Sequence, residues 1–170
     1  MNGPLYESLA RLLEYPRDDF AAQVDTCRAL TDDAQFAAFV ISTEKLPLAA
    51  LEELYIQSFD FDPQATLDLG WQLFAEDYNR GLFLAKLRSE SRRLNVPETC
   101  ELPDHLPHVL RLLVRMTSAE AGDFAATCGV PAVEKILAAL SEPNPYRPLV
   151  ACVLRLLCEL AATSVEVALR

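Results

Sequence analysis

The chain has 170 residues, 51% hydrophobic and 24% charged, with 5 glycines against 11 prolines. That is too apolar for a disordered segment, too poor in glycine for a β-rich fold with many tight turns, and large enough for one domain with a real core. The net charge of −10 belongs to the first half: residues 1–79 hold 15 acids against 4 bases, residues 80–170 hold 10 against 11. Such a field repels nucleic-acid phosphate and anionic lipid; it either favours a cationic partner or simply aids solubility.

Helical periodicity dominates, with no sustained two-residue alternation and no Asn-Gly or Asp-Gly hairpin signal. The expectation is an all-α, single-domain bundle of about eight helices over residues 1–170. A first helix is predicted from near Pro4 to Glu14, with Leu5, Leu9, Leu12 and Leu13 on one side and Pro16 at its end. Asp18 to Ser42 reads as two helices divided near Thr31, which can cap the second. Pro47 opens the cleanest amphipathic segment, in which Leu51, Leu54, Tyr55, Ser58 and Phe59 share a face. Residues Gln64 to Asn79 are irregular. A helix from about Arg80 to Asn95 then carries Leu84, Leu87 and Leu94 beside a basic face of Lys86, Arg88, Arg92 and Arg93.

After a loop from Pro97 to Pro103, the helix from about His105 to Ser118 has Leu106, Val109, Leu110, Leu113 and Met116 on one face. His108, Arg111 and Arg115 share the other, and His105 sits at the edge. Asp104 reads as its N-cap, which puts Pro107 at N3, where no intrahelical donor is required. Short helices follow near Ala119–Thr127 and Pro131–Ser141, and a last one runs from Asn144 into the C-terminal tail.

The start, Met1-Asn2-Gly3-Pro4-Leu5-Tyr6-Glu7, lacks the basic opening and unbroken apolar core of a secretory signal. The most apolar tail segment, Leu149 to Leu160, is interrupted by Arg155 and Glu159, well short of the roughly 20 apolar residues that span a bilayer. A soluble, cytoplasmic protein without direct membrane insertion is expected. Cys27, Cys100, Cys128, Cys152 and Cys158 form no Cys-x-x-Cys pair, so reduced thiols, mostly packed as small apolar groups, are expected.

Three constellations can carry function. His105 and His108 lie at i and i+3 and can share a metal, with Cys100 and Glu101 as further ligands. The positive charge of Arg111 and Arg115 beside His108 opposes this, and no metal or other cofactor is expected. A cysteine near His105 can in principle act as a thiolate, but no nucleophile elbow, phosphate loop or dinucleotide fingerprint accompanies it, so no enzymatic activity is expected. The third constellation is aromatic: 7 of the 14 aromatic residues fall between Tyr55 and Phe83, interleaved with Asp60, Asp62, Asp68, Glu76 and Asp77. Packing alone explains aromatics in a helical protein. Rings among carboxylates are also what a groove for a basic, partly apolar peptide requires.

Three blocks carry a family resemblance: Leu51-Glu52-Glu53-Leu54-Tyr55-Ile56-Gln57-Ser58-Phe59-Asp60, the segment Leu73-Phe74 through Arg80-Gly81, and Glu101-Leu102-Pro103-Asp104-His105-Leu106-Pro107. Together they resemble the NarJ-like assembly chaperones of the wider TorD/DmsD group of redox-enzyme maturation proteins, most clearly over residues 51–118. The resemblance implies an all-α cytoplasmic chaperone, not an enzyme, that binds the N-terminal, twin-arginine-type or remnant peptide of a molybdenum-containing catalytic subunit. Such a protein holds back export or membrane attachment until the partner's cofactor is inserted. By position, Asp104 and His105 match the family's Asp-His pair at the peptide groove, and Tyr55, Phe59 and Asp60 match its helix motif. Trp71, Phe74 and Glu76 complete the expected peptide-binding set. Where nitrate reductase chaperones tend to carry a Leu-Tyr-Leu-Phe-Glu-His run, this chain has Leu69-Gly70-Trp71-Gln72-Leu73-Phe74-Ala75-Glu76, which points to a different peptide specificity. The competing expectations are a helical metalloprotein using His105 and His108, and a regulatory adaptor. A monomer or weak dimer is expected in either case.

Overall fold

The computed structural model describes residues 2–168, with side chains described to residue 163. The chain is all-α: α1 (Gly3–Leu12), α2 (Phe20–Arg28), α3 (Ala34–Thr43), α4 (Leu48–Phe59), α5 (Leu69–Phe74), α6 (Tyr78–Arg93), α7 (Leu106–Arg115), α8 (Ser118–Phe124), a π-helical turn (Ala125–Gly129), α9 (Val130–Ala139) and α10 (Tyr146–Ala168). No strand occurs among the described residues, and no described helix is long and apolar enough to cross a membrane. The final two residues of the expected C-terminal helix lie outside the described residues.

Local chemistry explains where the helices start. Asn2 accepts from the Leu5 N–H at 3.4 Å and Pro4 occupies the first turn, so α1 begins a residue before the proline. Asp33, not Thr31, caps α3: its carboxylate accepts from the Gln35 and Phe36 amides at 2.7 and 3.0 Å. Thr31 instead takes the Asp33 N–H, one step upstream. Asp77 caps α6 through the Asn79 amide at 2.8 Å, which starts that helix at Tyr78. The segment Gln64 to Asn79, expected to be irregular, contains the short helix α5.

The helices expected on either side of Gly129 are one continuous rod. Pro131 cannot donate back along the helix, and its ring crowds the carbonyl four residues earlier. The π turn widens the rod just ahead of it, with the Val130 amide reaching back to the Ala125 carbonyl, so the chain passes the proline without breaking.

The core centres on α10, which packs against α3, α8, α9 and the π turn, while α1 lies on α2 and α7. Leu149, Val150, Cys152, Val153 and Leu157 of α10 are buried, each apolar side chain contributing about 1.5–3 kcal/mol. Tyr146 anchors an aromatic cluster, its ring 5.1 Å from Phe59, 5.7 Å from Phe39 and 5.8 Å from Tyr55. Because Tyr55 also donates to the Leu13 carbonyl at 3.2 Å, α4 is locked to the end of α1. That lock forms one wall of the site described next.

Candidate functional site

A cleft of about 460 Å³ opens where the end of α1, the end of α4, the loop before α7 and the first turn of α7 meet. Glu14, Tyr15 and Arg17 supply one wall, Tyr55 and Asp60 the second, and Cys100, Glu101, His105, Pro107 and Arg111 the third. The Tyr15 and Tyr55 rings meet edge to face at 5.6 Å, giving the cleft an aromatic floor. Within it Arg111 is already neutralised, its Nε 3.0 Å from Glu7 and its Nη1 2.6 Å from Glu14. Burial works against that charge, but the hydrogen bonds to Glu14 and Glu7 hold the guanidinium above its ordinary pKa. Asp60 and Glu101 are exposed at the mouth. The arrangement offers carboxylates above aromatic faces, which suits a cationic group carried on an apolar chain.

The entrance of α7 is built differently from the expectation. His105, not Asp104, is the N-cap residue, its side chain makes no cap hydrogen bond, and Pro107 falls in the first turn at N2. Asp104 turns inward and is fully buried, where Oδ2 accepts from the Gly70 amide at 2.8 Å. It therefore holds the start of α5 rather than of its own helix. The reason is an isolated antiparallel bridge between Asp68 and His105: the Leu69 amide donates to the Asp104 carbonyl at 3.0 Å and the Leu106 amide to the Leu67 carbonyl at 2.9 Å. This pairing swings the carboxylate away from the first turn of α7 and onto Gly70.

Gly70 makes that approach feasible. A Cβ there would sit 2.7 Å from Asp104 Oδ2, 3.1 Å from Phe83 and 3.4 Å from Arg80, so no side chain fits without displacing one of them. Burial, then the neighbouring Asp68 charge, raises the Asp104 pKa above the ordinary carboxylate value, against the Gly70 hydrogen bond and Arg80, which lower it. Asp104 Oδ1 and Arg80 Nε are buried without a hydrogen-bond partner.

The two histidines part company. His105 lies in the cleft wall, and its Nδ1 is 3.2 Å from Asp68 Oδ1. A carboxylate only accepts, so the proton is on that nitrogen. Asp68 also pairs with Arg80 at 3.6 Å, and the Arg80 guanidinium lies 5.3 Å from the Trp71 ring centre. His108, expected on the outer face with Arg111 and Arg115, is 3% exposed and packs its Nε2 2.9 Å from the Ser91 hydroxyl of α6. Burial, then Arg111 and His105, lowers its pKa, so it is held neutral at pH 7. Among the described residues no group of three or more His, Cys, Asp or Glu side chains is placed to hold a metal ion.

The expected peptide-binding residues thus divide. Tyr55, Asp60 and His105 meet in the cleft. Phe59 and Asp104 are buried and present nothing to a ligand in this conformation. Trp71 and Phe74 are half-buried on α5, Phe74 against Phe83 at 5.5 Å, and Glu76 is exposed beyond them. Tyr15 and Arg111 enter the cleft without having been singled out for it, and Glu101 enters it with the block that begins there. The Pro16 stop after a run of buried leucines was the available signal for Tyr15, since a chain that turns there must present its last side chains at the end of α1. No protein-family model matches this chain, and no curated protein matches it. The fold is all-α, and its cleft has an aromatic floor and a carboxylate rim.

Proposed function

We propose that the protein is a cytoplasmic assembly chaperone of the NarJ type, which binds the N-terminal peptide of a molybdenum-containing oxidoreductase subunit until the cofactor is in place. The observation that carries this reading is the cleft, which gathers Tyr55, Asp60 and His105 from two of the three resembling blocks, 50 residues apart in sequence. The Asp68–His105 bridge ties the remaining block, which begins at Leu73 on α5, to the same wall. A twin-arginine-type peptide has the matching chemistry: guanidinium groups for Asp60 and Glu101, then an apolar stretch for Tyr15 and Tyr55.

Purification from the native host tests the reading. A molybdoenzyme catalytic subunit should come with the protein, and its synthetic N-terminal peptide should bind in calorimetry. Recovery of no such subunit together with no heat of binding would refute it. If the gene is deleted and the partner is still fully loaded with cofactor, the protein is a regulatory adaptor instead.

A further inference from the structure

The His108 ring stands between two spaces. It is 3% exposed, yet it lines the 460 Å³ cleft together with Glu101 and Arg111. On its other side it borders a crevice of about 40 Å³ shared with Arg88, Ser91 and Pro103. The cleft does not reach Ser91, so the ring edge that the cleft meets is the one turned away from that hydroxyl.

Hydrogen bonding fixes which nitrogen carries the proton. The Ser91 hydroxyl lies 3.0 Å from the Leu87 carbonyl, which can only accept, and 2.9 Å from His108 Nε2. Its single proton goes to Leu87, and its oxygen then accepts from an Nε2–H. The reverse arrangement, with the hydroxyl donating to Nε2, puts the ring proton on Nδ1, which has no acceptor among the described residues. A buried N–H without a partner is a rarer and costlier defect than an unused lone pair, so the Nε2–H tautomer holds. Burial, then Arg111 and His105, keeps the ring neutral against the pull of Glu98. Nδ1 therefore carries a bare lone pair.

Among the described residues nothing donates to that lone pair. Arg111, one turn further along α7, turns its Nε to Glu7 and its Nη1 to Glu14, and His105 gives its Nδ1–H to Asp68. A guanidinium brought by a ligand has the matching chemistry. It holds five N–H donors in one plane; a carboxylate takes two side by side, and the rest need other acceptors. Glu101 is the exposed carboxylate on the same wall. We propose that His108 Nδ1 accepts a hydrogen bond from the guanidinium of a bound arginine whose charge Glu101 meets, which makes His108 a specificity-determining residue of the cleft. The inference rests on the reading of the cleft as a site for a cationic, partly apolar peptide.

Long-range proton–nitrogen correlation spectra of the full chain at neutral pH test it, with only two histidines to distinguish and His108→Phe to assign them. Free His108 should show a protonated Nε2 and an unprotonated Nδ1. Titration with Nα-acetyl-Arg-Phe-amide should move the Nδ1 signal upfield, as a nitrogen that accepts a hydrogen bond does, together with the backbone amides of Tyr15, Asp60 and Glu101. His108→Phe keeps a flat ring and leaves the Ser91 bond to Leu87 in place. With its fold checked by circular dichroism, it should bind the probe about tenfold more weakly. A proton on Nδ1 in the free protein, cleft amides that move while Nδ1 does not, or equal binding by His108→Phe would overturn the proposal and leave the chaperone reading standing. No shift at any cleft residue would overturn both.

Discussion

Replacing Asp104 by alanine separates a structural role from ligand contact. The side chain is fully buried and its one hydrogen bond holds the Gly70 amide at 2.8 Å. Losing a bond to a charged acceptor costs about 1.5–3 kcal/mol, and the stranded Gly70 N–H adds to it, while release of a buried, half-satisfied carboxylate offsets part. A net loss of about 2 kcal/mol corresponds to a fall in Tm of about 4–8 °C for a chain of this length. Thermal and urea unfolding measure it, and peptide affinity well below the Tm should change by less than about twofold, or 0.4 kcal/mol. An unchanged Tm with a large loss of affinity would show that Asp104 touches the ligand and that the buried geometry is wrong. Asp104→Asn adds a pH test. The folded-state pKa is raised, so the folded chain binds this proton more tightly than the unfolded chain, and wild-type stability gains from this group as pH falls through the raised value. The Tm difference, wild type minus Asp104→Asn, should therefore grow from pH 7 down towards the ordinary Asp value of about 3.9; a shrinking difference would contradict the sign.

Other predictions follow from the same contacts. Gly70→Ala drives a methyl to 2.7 Å from Asp104 Oδ2 and should destabilise by about 1–3 kcal/mol in urea unfolding. Tyr146→Phe removes a buried hydroxyl that has no partner and should raise the Tm by about 2–4 °C, since leaving such a group unpaired costs on the order of 1 kcal/mol. His108 has a lowered folded-state pKa, so the unfolded chain takes up the proton first and stability is lost as pH falls below about 6.5. In His108→Asn the Tm should decline less between about pH 7.5 and pH 5.5 than in wild type; an equal decline would place the effect elsewhere.

Periodicity made the architecture legible, because burial repeats along a helix: Leu5, Leu9, Leu12 and Leu13 are all core residues of the first helix and its end, and Tyr55 and Phe59 of α4 are buried as their spacing implies. The entrance of α7 was not legible. An acid before a proline-containing helix looks like a cap, and only the tertiary bridge to residues 67–69 turns Asp104 onto Gly70 instead. His108 misled for a similar reason. It shares a helix face with Arg111, and a face that packs against Ser91 of α6 at one end and opens to solvent at the other has no single polarity to read. Helix α5 was invisible because six residues, Leu69 to Phe74, are too few to show a period. The cleft was half legible: Tyr55, Asp60 and His105 were identifiable as residue types, but their meeting with Tyr15 and Glu101 depends on how three chain segments converge.

Calorimetric titration of the N-terminal peptide of the co-purified catalytic subunit tests the central claim most directly, comparing wild type with Asp60→Asn/Glu101→Gln at low and high salt. Both carboxylates are exposed, so the double variant keeps its fold. The cleft reading predicts binding by wild type that weakens with salt, about tenfold or 1.4 kcal/mol weaker binding by the double variant, and a smaller salt dependence of what remains. Wild-type binding that the double variant reproduces at every salt concentration would contradict it.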